Sequence, residues 1–440
     1  MEVINLKFDR GWFLFLLLFL TGLAGYSITG LELYLRLIYL DGLLLLVTWG
    51  WSKISLRDLH FLRKARSLRA SAGDIFEETF ELINDGWYPR LFVEIRNKSE
   101  LPDASGSRLL TWLRANEKRT YIARSWLTKR GIYPLGPTDI ISGDPFGFFK
   151  QKHEFPAKDS LLVLPMVVPI ADFVSPAGFL PGGKANQRLS RDVTPHASGV
   201  REYQHGDAIK TIHWPSSAKR NKLMVKEFEQ DPQSEYWIFL DAQKQVQAGL
   251  PFDPPKIQDY WILSRRPEVT LPQSTLEYST CVGASLAHYF IQKRESVGFV
   301  TEDPVFTVIA AERSERQESK ILEQLAFATG TGKLPLASLV DLQSPSISMG
   351  SCAILITPSV QDDILLSVEL LQRRNIRPIV ILLMAKSFDG KDGSELIAER
   401  LEQNGVPVCK IYNKSNLSKV LSNFFTFQRD KEYHPWVILP

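Results

Sequence analysis

The chain has 440 residues, 44% of them apolar and 23% charged, with a formal net charge of +3. That length allows two or three domains, and that composition excludes a globally disordered chain. A charge so near zero excludes a protein that meets nucleic acid through bulk positive charge. The three cysteines, Cys281, Cys352 and Cys409, are odd in number and far apart, which excludes a disulfide framework and a cysteine zinc site.

The chain opens on a membrane pattern. Residues 12–29 read WFLFLLLFLTGLAGYSIT and carry no charge, enough apolar length to cross a hydrocarbon core. A second run, 33–51, contains Arg36 near one end and Asp41 deeper in. Together they predict a transmembrane hairpin within 1–52. Lys7 and Arg10 precede it, and Lys53, Arg57, Arg63, Lys64, Arg66 and Arg69 follow it. The positive-inside rule then places both ends, and the rest of the chain, in the cytoplasm. The expected location is the cell membrane, multi-pass. A cleaved signal peptide is the rival, but the apolar run is long for one and has no A-x-A site.

Residues 53–70 read as a basic juxtamembrane linker. From 71 to 197 the texture is β-rich, with alternation in FEETFELINDG and YPRLFVEIRNKS and short β-branched or aromatic runs broken by Gly, Pro and Asp. A sandwich-like domain is expected. The stretch DPFGFF, Asp144 to Phe149, lacks the companions of a kinase site and reads as a turn followed by buried aromatics.

The segment 198–232 is dense in charge. Between Ser198 and Asp231, six bases face five acids, a balance of +1, unlike a phosphate-binding stripe. Asp207 and His213, with His205 nearby, form the acid–base pair a hydrolase would need, but no nucleophile or oxyanion hole accompanies them. His205-Gly206-Asp207 reads as a turn, and KLMVKEFE as a strand. Ion pairs among Arg201, Glu202, Lys226 and Glu227 are expected. The segment therefore reads as a structural joint that also suits a protein-docking surface.

From 233 to 428, short apolar strands alternate with amphipathic helices. That pattern predicts an α/β domain with a doubly wound parallel sheet, ligands lying at the carboxyl ends of the strands. Residues 429–440 form a tail. The loop ATGTGKLPL (Ala328 to Leu336) contains Gly-Thr-Gly-Lys but departs from the spacing of a phosphate loop. No cofactor is expected.

The residues GVREYQHGDAIKTIHWPSSAKRNKLMVKEFE closely resemble the signature of the family called domain of unknown function 58. The match includes Arg201, Glu202, Tyr203, Gly206, Asp207, Ile212, Trp214, Ser217, Ala218, Lys226 and Glu227. RGIYPLGPTDIISGDPFGFF resembles a second, upstream signature of the family; in the first signature, Pro215 after Trp214 is a departure from the family's pattern. The resemblance implies a C-terminal part similar to a von Willebrand factor A domain, a MoxR-type AAA+ ATPase as partner, and a chaperone-like or assembly role without established enzymatic activity. The metal site of A domains uses Asp-x-Ser-x-Ser. Here the loop is Asp241-Ala-Gln243-Lys-Gln245, with Thr357 at the later strand end and Asp362 and Asp363 beyond it. The resemblance thus implies a degenerate site near Asp241, Gln243, Gln245 and Thr357 that holds no metal. The chain is read as a non-enzymatic, membrane-anchored scaffold or adaptor. Its docking residues would be Arg201, Glu202, Tyr203, Gly206, Asp207, His213, Trp214, Lys219, Arg220, Lys226 and Glu227. The alternatives are a metal-dependent protein-binding module and a hydrolase built on 198–231.

Overall fold

The computed structural model describes residues 7–8, 12–102, 104–173, 197–204, 212–228, 235–252 and 270–432. They fall into two compact units. The first covers the described residues up to Met166 and those within 252–272, and the second those from Val167 to Pro251 and from Gln273 onward.

The first unit begins with a short strand, β1 (Lys7–Phe8), and two apolar helices, α1 (Trp12–Thr29) and α2 (Glu32–Ile54). Gly30, at φ +66°, ends α1 in the left-handed region that favours glycine. The helices lie close because α1 presents glycines to α2. A Cβ on Gly25 would sit 2.4 Å from Tyr34 Cε1, and one on Gly22 2.8 Å from Ile38 Cγ1. Small residues at such crossings let apolar helices pack by van der Waals contact. The hydroxyls of Thr21, Ser27 and Thr29 each donate to a backbone carbonyl of α1. By length and composition α2 is able to cross a membrane, and α1 is a shorter apolar helix beside it.

Strands β2 (Leu59–Ala65), β3 (Arg69–Ser71), β4 (Ile75–Asn84), β5 (Arg90–Asn97), β6 (Arg108–Leu113) and β7 (Glu117–Trp126) follow. Then come β8 (Gly131–Pro134), β9 (Thr138–Gly143), β10 (Phe149–Phe155) and β11 (Ser160–Leu164). They form sheets in the orders β1-β10-β9-β5-β6, β2-β4-β7 and β3-β11-β8. Phe80, Leu82, Val93, Ile95, Leu113 and Ile140 meet in one core drawn from the first two sheets. A smaller core, with Phe76, Leu127, Leu161 and Val163, underlies the third.

The basic stretch expected to be a linker is not one. β2 pairs with β4 along its whole length, because LHFLRKA alternates and its bases do not all face water. Arg63 is the inward exception. It donates from Nε and Nη2 to the two Glu78 carboxylate oxygens at 2.6 and 2.8 Å. Its Nη1 reaches Asn97 Oδ1 on β5 and Thr138 Oγ1 on β9. One guanidinium therefore links the β2-β4-β7 sheet to the five-stranded sheet.

In the second unit, β12 (Ala197–Glu202) and β13 (Met224–Phe228) pair antiparallel and flank α3 (Trp214–Arg220). The remaining order is β14 (Glu235–Leu240), α4 (Thr275–Gln292), β15 (Ser296–Glu302), β16 (Phe306–Glu312), α5 (Glu315–Phe327), α6 (Leu336–Gln343) and β17 (Cys352–Thr357). It ends with α7 (Asp363–Arg373), β18 (Arg377–Leu383), α8 (Ser394–Gln403), β19 (Val408–Ile411) and α9 (Leu417–Glu432).

The sheet order is β16-β15-β14-β17-β18-β19. All neighbours are parallel except β15 and β16, so the wholly parallel sheet expected from the sequence is a mixed one. The reason is the connection: only Asp303, Pro304 and Val305 lie between them, too few for a parallel crossover. The C-terminal unit also gathers in residues 167–173, upstream of the expected boundary at 197. Val168 N donates to Ser285 Oγ at 2.9 Å, and the Phe173 ring meets Phe290 and Phe424.

Arg63→Ala is expected to lower stability by about 3–5 kcal/mol, because it leaves the Glu78 carboxylate buried and uncompensated. The check is thermal unfolding of the detergent-solubilised chain, with the Arg63→Met/Glu78→Met pair recovering much of the loss.

Candidate functional site

Three candidate regions emerge: the point where the sheet order reverses, the Gly-Thr-Gly-Lys loop beside it, and the signature segment. In open α/β sheets, ligands bind outside the carboxyl ends of the strands at the reversal. Here that point lies between β14 and β17, and Asp241 and Thr357 sit there.

Asp241 is fully buried, at 0% exposure. Its Oδ2 accepts from Thr357 Oγ1 at 2.6 Å, and its Oδ1 from the Gln243 backbone N–H at 3.1 Å. Burial pushes its carboxyl up to about 7, more than these two hydrogen bonds lower it, and the nearby Asp363 charge adds to the rise. Asp363, at the start of α7, is also raised by burial, and Ser359 Oγ donates to its Oδ1 at 3.0 Å. Gln243 Oε1 and Asp363 Oδ2 are buried and accept no hydrogen bond among the described residues. Gln245 lies in the same loop; Asp362 instead accepts from Arg400 at 3.1 Å on the surface.

A hard divalent cation takes six or more oxygen ligands. Asp241, Gln243 and Asp363 supply side-chain oxygens of suitable chemistry. They do not make a complete set, and among the described residues no cluster of three His, Cys, Asp or Glu suited to a metal forms.

The Gly-Thr-Gly-Lys loop has its backbone donors occupied by the protein's own acids. Asp303 accepts from the N–H groups of Thr329, Gly330 and Thr331 at 2.6, 2.7 and 2.9 Å, and from both threonine hydroxyls. Glu302 Oε2 accepts from the Lys333 and Leu334 N–H groups at 2.6 and 3.0 Å. Two buried carboxylates therefore take the place that phosphate would have in a nucleotide loop. Burial opposes ionisation of Asp303, yet these donors hold its carboxyl below the usual range. The loop in turn pairs with the segment after β14: Gly332 N donates to Ala242 O at 3.0 Å and Lys244 N to Gly332 O at 2.9 Å. A Cβ on Gly332 would lie 2.4 Å from the Glu302 carbonyl oxygen, so the approach requires glycine.

The signature segment is organised around Ser217. Its buried hydroxyl accepts from Met224 N at 2.8 Å and donates to His213 O at 3.0 Å, fixing α3 to β13. Helix α3, which the sequence reading did not anticipate, ends at Asn221 with φ +51°. His213 Nδ1 lies 2.7 Å from Ser216 Oγ within the helix's first turn. Glu202 pairs with Lys222 at 2.6 Å; the ion pairs expected with Lys226 and Glu227 fall on side chains outside the described residues. Arg201 Nη1 donates to the Glu202 carbonyl, and Tyr203 N to Leu223 O. Trp214 is 64% exposed, and Lys219 and Arg220 are exposed on the same short helix. His205, Gly206 and Asp207 lie outside the described residues, as do the side chains of Lys226 and Glu227 on β13.

Two outcomes follow from the buried acids. Asp241 has a raised folded pKa, so its protonated form favours the fold. That stability is complete below its unfolded pKa near 4 and is lost as pH rises through about 7. Asp241→Asn, which imitates the protonated acid, is therefore expected to raise the unfolding temperature at pH 8 and to change it little at pH 4. The maximal gain is about 4 kcal/mol. Asp303 has the opposite sign: its stability is present above its unfolded pKa and is lost as pH falls through the lowered folded value. Asp303→Ala is expected to speed amide exchange at Thr329–Leu334 at neutral pH, measured by hydrogen–deuterium exchange.

A model of the family described as "Protein of unknown function DUF58" matches residues 199–250. "Uncharacterized protein YeaD" of Bacillus subtilis (strain 168) is 21% identical over 377 residues, covering 83% of this chain and 86% of that one. Among solved structures, a CARDB domain from Pyrococcus furiosus in complex with di-metal ions aligns with a TM-score of 0.18 and 12% identity, covering 24% of this chain and 92% of that one. A GH20 exo beta-N-acetylglucosaminidase from Vibrio harveyi aligns with a TM-score of 0.18 and 10% identity, covering 86% of this chain and 72% of that one. Scores that low carry no argument about this protein. The signature match and the relative spanning most of the chain support the DUF58 family.

Proposed function

We propose that the protein is a membrane-anchored, cytoplasm-facing scaffold or adaptor whose signature helix α3 docks a protein partner. One observation carries the reading: α3 holds Trp214 largely out in solvent and exposes Lys219 and Arg220 in its last turn, while Ser217 fixes the helix to β13. An exposed tryptophan on a fixed element that also carries two exposed cations has the composition of an interface anchor. A MoxR-type AAA+ ATPase is the proposed partner, on the family resemblance. The helices α1 and α2 would form a membrane hairpin with both ends cytoplasmic, in keeping with the lysines and arginines that flank it. The C-terminal unit is read as doubly wound and von Willebrand A-like, which its strand order, reversing between β14 and β17, supports.

A second reading, a metal-dependent binding module, is favoured by the two uncommitted oxygens beside Asp241, Gln243 Oε1 and Asp363 Oδ2. Calorimetric titration with magnesium or manganese separates the two. Saturable one-site binding that disappears in Asp241→Ala would favour the metal module.

For the scaffold, Trp214→Ala and the pair Lys219→Glu/Arg220→Glu are expected to reduce crosslinked recovery of the ATPase from membranes at least tenfold, about 1.4 kcal/mol, without changing the unfolding temperature. Recovery equal to that of the unaltered chain would defeat the docking role.

A further inference from the structure

Among the exposed aromatic side chains of the described residues are Trp87 and Phe146, at 84% and 64% exposure. Both sit on loops fastened to the ends of the apolar helices. In the first loop, Tyr88 OH donates to the Ile54 carbonyl at the end of α2. Arg90, 2% exposed, donates to the same carbonyl at 2.6 Å and also to that of Arg57. Its guanidinium stacks 3.9 Å from the Tyr88 ring. Trp87 therefore projects from a loop tied to the last turn of α2.

The second loop is DPFGFF. Asp144 is fully buried, and its carboxylate accepts from the N–H groups of Phe146 and Phe149 at 3.0 and 2.5 Å. That clamp folds the hairpin tip between β9 and β10. Phe149 turns inward, and Phe148 packs edge-on against Phe15 of α1, with ring centroids 4.7 Å apart. Phe146 is left outside. The β9–β10 hairpin also packs beside α2, where Thr48 and Ser52 are buried.

Depth follows from helix length. The 23 residues of α2 span about 35 Å, against about 30 Å of hydrocarbon. Ile54 then falls at headgroup level, and so does the loop bonded to it. Lys53 and Arg57 are exposed at the same end, suited to anionic headgroups. An amphipathic indole is favoured at that depth. We infer that the β domain itself contacts the lipid, with Trp87 and Phe146 seated in the bilayer interface as two anchors beside the hairpin. The placement rests on the membrane hairpin proposed above.

The test uses the full chain reconstituted into vesicles of anionic and zwitterionic lipid, with bromine on the upper part of the acyl chain. The emission of Trp87 is the difference between the unaltered chain and Trp87→Phe. A second probe is Phe146→Trp in the Trp87→Phe background. Both difference signals are expected to lose most of their intensity to brominated lipid and to be shielded from aqueous acrylamide. Signals quenched by acrylamide and untouched by bromine, while the remaining tryptophans are still quenched by bromine, would overturn the inference and leave the hairpin standing. If alkaline carbonate releases the chain and no tryptophan is quenched by bromine, the hairpin itself is refuted, and the anchors with it.

Discussion

Asp303 and Glu302 hold the chain to itself. Their carboxylates collect the N–H groups of residues 329–331, 333 and 334, and Gly332 pairs with the segment following β14. Without them the Gly-rich turn would present a row of unpaired donors beside the sheet reversal, which costs free energy unless water or an anion satisfies them. With them, the turn is fixed, and Gly332 on it pairs with Ala242, Gln243 and Lys244 beside Asp241.

The same economy explains why the region resembles several kinds of site and completes none. Asp241 is an acid at the sheet reversal, and Thr357 and a backbone N–H engage both its oxygens. The Gly-Thr-Gly-Lys turn retains the donors of a phosphate cradle, but they are filled.

Much of the architecture was legible in the sequence. The bounds of α1 and the strands from β14 to β19 follow from apolar runs whose period and length leave little choice. Other features were hidden for physical reasons. β2 carries so many bases that it looked like a linker, because inward-facing Arg63 is indistinguishable from outward-facing ones until Glu78 is placed opposite it. α3 is short, begins with Trp-Pro and has no apolar stripe, so periodicity could not reveal it. The antiparallel turn of β16 was readable from the brevity of Asp303-Pro304-Val305, a connection-length cue rather than a hydropathy one. The acids that fill the Gly-rich loop are separated from it by β16 and α5, and nothing local announces their meeting. DPFGFF was legible as a turn, yet its three phenylalanines divide between core, helix contact and solvent, a division set by Asp144 and not by hydrophobicity.

Only Ser55 to Asp58 separate α2 from β2, and Arg90 closes even that gap by bonding the carbonyls of Ile54 and Arg57. A domain on a flexible stalk samples a volume set by its tether, and its partners meet it anywhere within that radius. Here the tether length is nearly zero. If the helices span the bilayer, the β domain has no search volume of its own. Its encounters are confined to the plane of the membrane, and any partner must bring its binding face down to the lipid to reach it.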